Sequence, residues 1–290
     1  MSDEAPLLSV NNLSVSYGSD QDRVDAVRNV SFAVDAGEVV GLVGESGSGK
    51  STVAQSILGL LDRSSATIGG SIQFAGENLF SYDSRRWGTV RGRRIGMIFQ
   101  SPVSSFNPVT TIGEQMVEAL RWHMALSKAE ANQAALTALK DVGMPRPEEV
   151  IHNYAFELSG GMCQRAALAM VMALQPSLVL ADEPTASLDV VAQAELVRWL
   201  DLIQKKRGFS MLVISHDLNL ISRLADRLLV MYQGELLERG SAQSVLNNPQ
   251  HAYTAELINA VPRLTETKPT TKAAATVATP GQAHAGVAAK

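Results

Sequence analysis

The chain opens with short apolar runs separated by turn residues. Leu7–Val10, Leu13–Tyr17 and Val30–Val34 read as strands, with Gly18-Ser19-Asp20 and Asp35-Ala36-Gly37 as turns. Val39–Val43 is apolar without interruption, the mark of a strand buried on both faces. A glycine-rich loop follows, then a helical pattern over Ser51–Leu61. Ser71–Phe74, entered through Gly69-Gly70, and Arg94–Phe99 predict two more strands. From Ile112 to about Met144 the apolar period is helical, through Met116, Ala119, Leu120, Ala135, Leu136 and Leu139, until Gly143 and Pro145 stop it. Arg165–Leu174 is helical again. Ser177–Ala181 and Ser210–Ser215 are short apolar strands, and the helix between them, about Ala192–Lys206, ends at Gly208. Leu228–Tyr232 with Gly234 begins a hairpin. From Thr265 the composition collapses to Thr, Ala, Lys, Gly and Pro, which predicts a disordered tail over 265–290.

Composition narrows the function more than the fold. The 290 residues are 46% apolar and 19% charged, ordinary for a globular protein. A net charge of −4 and 5% aromatics argue against nucleic-acid binding. The one cysteine, Cys163, excludes an internal disulfide and a self-contained iron–sulfur cluster. The acidic start does not read as a signal peptide, and no window approaches roughly 18 apolar residues, so no membrane span is expected and the cytosol is the default address.

Two loops carry phosphate chemistry. Gly44-Glu45-Ser46-Gly47-Ser48-Gly49-Lys50-Ser51 fits G-x-x-x-x-G-K-[ST], between a buried strand and a helix that continues through Thr52. Its glycines let successive N–H groups converge on an anion, and the helix N-terminus adds positive potential. Lys50 brings a mobile charge to the β- and γ-phosphates, and the Ser51 hydroxyl suits one position on Mg²⁺. Leu178–Ala181 ends in Asp182 and Glu183, two carboxylates at a strand's C-terminal edge. Asp182 suits Mg²⁺ and Glu183 suits the attacking water. Ser159-Gly160-Gly161 is a second small-residue loop before a helix expected near Met162. It is a phosphate-ready site for a facing chain, or an ordinary N-cap.

These motifs, in this order, resemble the ATP-binding subunit of ATP-binding cassette (ABC) transporters over about residues 7–262. Leu158–Arg165 is similar to the signature sequence of that family, Ser187-Leu188-Asp189 to its D-loop, Gln100 to its Q-loop and His216 to its switch histidine. The resemblance implies an α/β fold: a RecA-like P-loop core with an antiparallel β-subdomain and an inserted α-helical signature subdomain. It implies a nucleotide-binding domain over 5–240, with its helical part about 101–170, and an importer-type extension over 241–264. It implies ATP and Mg²⁺, with Glu183, His216 and Gln100 catalytic, Gln100 also near the metal, and Tyr17 stacked on the base. Ser159, Gly160, Gly161, Gln164 and Asp189 would contact ATP held by an opposing subunit.

Ile95–Pro108, Tyr154–Met162 and Asn248–Thr254 resemble the oligopeptide, dipeptide and nickel importer branch. Ala252 stands where that branch has proline, and Ala155-Phe156 where it has Pro-His. The branch implies an ATPase motor for di- or oligopeptide uptake, peripheral on the cytoplasmic face of the inner membrane. Its partners would be a second ABC ATPase subunit (a heterodimer is favoured), a pair of transmembrane permease subunits and an extracytoplasmic solute-binding protein. An importer ATPase for nickel or another small solute, or a soluble non-transport ABC ATPase, is the alternative. Cys163 occupies a variable position of the signature, as a small helix residue facing away from ATP or a redox group.

Overall fold

The computed structural model describes residues 5–18, 22–186 and 188–260. Ser187 and the expected tail over 265–290 lie outside the described residues. In chain order the elements are β1 (Leu8–Tyr17), β2 (Val24–Val34), β3 (Val39–Val43), α1 (Lys50–Ile57), β4 (Ala66–Phe74), β5 (Glu77–Asn78), α2 (Ser84–Val90) and β6 (Ile95–Ile98). The middle of the chain gives α3 (Ile112–His123), α4 (Lys128–Asp141), α5 (Pro147–Val150) and α6 (Gly160–Ala173). Then come β7 (Leu178–Asp182), α7 (Val190–Arg207), β8 (Ser210–Ser215), α8 (Leu218–Leu224), β9 (Arg227–Tyr232), β10 (Glu235–Ser241), α9 (Ala242–Asn247) and α10 (Ala252–Asn259).

The strands form two sheets. A four-stranded antiparallel sheet runs β2-β1-β4-β5, and a six-stranded sheet runs β10-β9-β3-β8-β7-β6. In the larger sheet β9, β3, β8, β7 and β6 are parallel, and β10 closes one edge antiparallel to β9. Strands β3, β7 and β8 are buried at every position, as unbroken apolar runs require. Their side chains still alternate between two cores. Val39, Val43, Val179, Ala181, Met211 and Val213 face the core shared with helices α3, α4, α6, α7 and α8. Val40, Leu42, Leu178, Leu180, Leu212 and Ile214 face the core shared with α1 and the smaller sheet. The parallel sheet is thus covered on both faces, and its C-terminal edge is the open crevice where such sheets bind ligands.

The expected short strands Leu7–Val10 and Leu13–Tyr17 are one strand with a bulge. Asn12 takes φ 49°, the β1–β2 register slips between Val10 and Leu13, and Ser31 Oγ accepts a bond from the Asn12 N–H. Gly69-Gly70 lies inside β4 rather than ahead of it, because Gly70 (φ 87°) sits where the β1–β4 register shifts opposite the same bulge. The helical stretch Ile112–Met144 is two helices. Ser127 and Glu130 form a capping box that starts α4 afresh, just as Thr111 and Glu114 start α3. Helices α2 and α8 were not expected. Each is seven residues long and begins at an aspartate cap, Asp83 or Asp217.

Candidate nucleotide site

The C-terminal ends of β3, β7 and β8 lie side by side, and each delivers part of one cleft. The cleft encloses about 900 Å³, and its lining includes Gly44–Gly47, Gly49–Thr52, Gln100, Glu183, His216 and Asp217.

The loop after β3 is shaped by two glycines. Gly44 has φ 153°, and a Cβ there would stand 2.0 Å from the Met231 carbonyl oxygen. Gly49 has φ 100°, with the Ala26 oxygen 2.2 Å from the same position on it. No side chain fits either place. Lys50, which is buried, donates to the Gly44 and Glu45 carbonyls at 2.8 and 2.6 Å and lies 3.3 Å from Ser48 Oγ. Burial lowers its pKa from the ordinary lysine value, against the opposing pull of Glu183, Asp182 and Glu45. Such an ammonium, folded back on its own loop, is ready to exchange carbonyls for phosphate oxygens.

Ser51 Oγ donates to Asp182 Oδ1 at 3.0 Å, joining the loop to β7. Asp182 is buried and its pKa is raised, first by desolvation. The Ser51 bond and Lys50 oppose this, and neighbouring Glu183 adds to it. A desolvated carboxylate beside a hydroxyl, with a second carboxylate next in sequence, is a donor set suited to a hard divalent cation.

Glu183 takes φ 47°, a left-handed conformation that costs a non-glycine residue about 1–3 kcal/mol. Its surroundings hold it there. Its N–H donates to the Ile214 oxygen at 2.8 Å. Its carboxylate accepts from Ser215 Oγ at 3.2 Å and from the His216 N–H at 3.0 Å, and His216 Nδ1 lies 2.8 Å from Oε1. Hydrogen bonds to a charged group contribute about 1.5–3 kcal/mol each, enough to offset the strain. The carboxylate is therefore pinned at the mouth of the cleft.

Other expected residues fall elsewhere. Gln100 lines the cleft. Tyr17, half-buried at the end of β1, is not among the lining residues. Ser159 and Gly160 are exposed and outside the cleft, with Gly161 half-buried beside them, and Ser159 caps α6 by accepting from the Met162 N–H at 3.3 Å. Asp189 likewise caps α7 through the Val191 and Ala192 N–H groups. Because α6 starts at Gly160, Gln164 turns inward with Cys163 and Leu168. It is 1% exposed, and neither amide atom has a partner among the described residues. Cys163 is fully buried, and burial pushes its thiol up to about 11, which leaves it neutral and inert.

Among the residues in or beside the cleft that had no role assigned from sequence are Ser215, Gln193 and Leu257. Ser215 holds Glu183 and accepts from the Asp217 N–H at 3.0 Å. Gln193 of α7 lines the cleft and donates to Asp217 Oδ2 at 2.6 Å. Leu257 of α10 lines the wall nearest the C-terminus.

A model of the ABC transporter family matches residues 27–186. The chain belongs to the ABC transporter family. A second model, the oligopeptide/dipeptide transporter C-terminal region, matches residues 237–287. Curated relatives include a putative peptide import ATP-binding protein of Brucella abortus, 42% identical over 260 residues, 90% of this chain and 78% of that one. The oligopeptide transport ATP-binding protein OppD of Salmonella typhimurium is 42% identical over 258 residues, covering 89% and 77%. Among solved structures, a dimeric ATP-binding cassette with ADP and phosphate superposes with a TM-score of 0.73 at 26% identity, covering 81% of this chain and 98% of that one. The cassette fold of the ABC transporters is thus the fold of this chain, and the chain is an ATPase of the ABC type. Among the described residues no helix is long and apolar enough to cross a membrane.

Proposed function

We propose that the chain is the ATP-hydrolysing subunit of an ABC importer for di- or oligopeptides, working on the cytoplasmic face of the inner membrane. The observation that carries the ATPase part is the convergence of Lys50, Glu183, His216 and Gln100 on one cleft. The match over 237–287 and the peptide-transport names of the relatives support the substrate class.

In this reading the N–H groups of Ser46–Thr52 cradle the phosphates, and Lys50 leaves the Gly44 and Glu45 carbonyls for them. Glu183, fixed by Ser215 and the His216 N–H, accepts a proton from the attacking water as it approaches the γ-phosphorus. His216 and Gln100 orient that water and the γ-phosphate. Ser51 and Asp182 would hold Mg²⁺, with Gln100 nearby, and the ion would neutralise charge on the β- and γ-oxygens. Tyr17 would stack on the base from outside the phosphate cleft.

Ser159 and Gly160 are exposed, Gly161 is half-buried beside them, and Asp189 stands at the start of α7. They are the surfaces offered to ATP held by a second ABC ATPase subunit, in a heterodimer. A pair of permease subunits and an extracytoplasmic solute-binding protein complete the assembly. The cassette would span 5–240, with its helical part about 101–170 and the importer-type extension over 241–264. The test is ATP turnover by the complete transporter in lipid, with peptides and the binding protein present. Glu183→Gln is expected to lower turnover by at least about 100-fold. Turnover at the wild-type rate would move catalysis to the partner chain.

A further inference from the structure

The C-terminal extension is built into the wall of the nucleotide cleft. The Glu45 N–H, at the start of the phosphate loop, donates to the Tyr253 hydroxyl at 3.1 Å across 208 residues of sequence. The Tyr253 ring packs on that of Tyr232, with centroids 4.3 Å apart, and Tyr232 ends the strand next to β3. Helix α10 is also held by contacts outside the loop. Glu238 of β10 accepts from the Gln250 and His251 N–H groups at 2.8 and 3.1 Å, and His251 Nδ1 accepts from the Tyr253 N–H at 3.2 Å. Leu257 and Ile258 pack against the helical core, and Leu257 and Ala260 reach the cleft. The hairpin beneath also grips the loop, since the Gly234 N–H donates to the Ser48 carbonyl at 3.1 Å.

We propose that Tyr253 is a positioning residue for ATP binding. Its hydroxyl occupies the N–H of Glu45, the second residue of the loop, fixing where the loop begins while the later N–H groups turn inward to phosphate. Because the hydroxyl belongs to α10, loop order and the docking of α10 form one equilibrium. Nucleotide that orders the loop strengthens the docking of α10, and a docked α10 strengthens nucleotide binding by the same factor. The extension thereby reads nucleotide occupancy and passes it to the surface around residues 248–260. This rests on the reading that Gly44–Ser51 binds ATP.

The test uses the full chain in a Glu183→Gln background, so that nothing turns over. Tyr253→Phe removes the hydroxyl and keeps the ring on Tyr232. It is expected to raise the Kd for MgATP by about three- to tenfold, the effect of one lost hydrogen bond. MgATP should lower deuterium uptake over 250–260 in the parent and leave it unchanged in Tyr253→Phe. Equal Kd values, or equal protection of 250–260 in both chains, overturn the proposal. Failure of the hydrolysis reading shows separately, as turnover by Glu183→Gln in the complete transporter.

Discussion

Glu183 is held in an unfavourable backbone conformation by groups from the adjacent strand, which makes Ser215 a positioning residue in the proposed mechanism. That buried hydroxyl donates to Glu183 and accepts from the Asp217 N–H. Ser215→Ala leaves the Asp217 N–H without that acceptor and lets the carboxylate swing. The expected result is a fall in kcat of about tenfold with little change in KM for ATP, read from steady-state turnover of the assembled transporter. Cys163 gives a second prediction at this scale. With the thiol fully buried and its pKa about 11, a disulfide-exchange reagent at about pH 8 should not titrate it in the folded chain. The same reagent should titrate it in denaturant. Ser215 was not read as functional because serine at a strand end is common, and only the fold brings it to Glu183.

At the scale of elements, legibility follows from how local the determining physics is. Strands β3 and β8 were read to the residue, because an unbroken apolar run bounded by turns has few other solutions. The phosphate loop was equally readable, since its chemistry is contained in eight consecutive residues. The bulge in β1 was not, because it is settled by pairing with both β2 and β4. Nor was the contact of Tyr253 with Glu45, which needs the whole chain between them to fold. The capping boxes of α3 and α4 carry a pH prediction. Bonds from the Thr111 N–H and hydroxyl hold Glu114 below the ordinary carboxylate value, and bonds from the Ser127 side chain and N–H do the same for Glu130. A depressed pKa contributes stability that is present above the unfolded value and lost as pH falls through the folded one. Wild type should therefore lose more Tm than Glu114→Gln/Glu130→Gln between about pH 5 and 3, because glutamine keeps the caps without titrating.

For the whole molecule the question is what the exposed surfaces meet. Phe99, Val103, Val109, Trp122 and Phe156 are all large, apolar and exposed, Trp122 at 78% and Val109 at 77%, and all belong to the segment from the end of β6 to the loop before α6. In the proposed assembly this exposed apolar segment is the surface offered to the permease subunits. The signature residues Ser159 and Gly160 are exposed as well, away from this chain's own cleft. In the proposed assembly a second cassette completes each ATP site by facing this one. The chain alone should therefore hydrolyse ATP slowly, at a specific activity that does not change with concentration, and the second ATPase subunit should raise it. Specific activity that climbs with the concentration of this chain alone would instead assign the facing cassette to a second copy. In either case Trp122→Ala should weaken assembly with the permeases, measured by co-purification, while the Kd for MgATP stays at its wild-type value. Trp122 is not among the residues lining the nucleotide cleft, so a change in that Kd would mean that the exposed apolar segment serves the nucleotide site rather than the membrane partner.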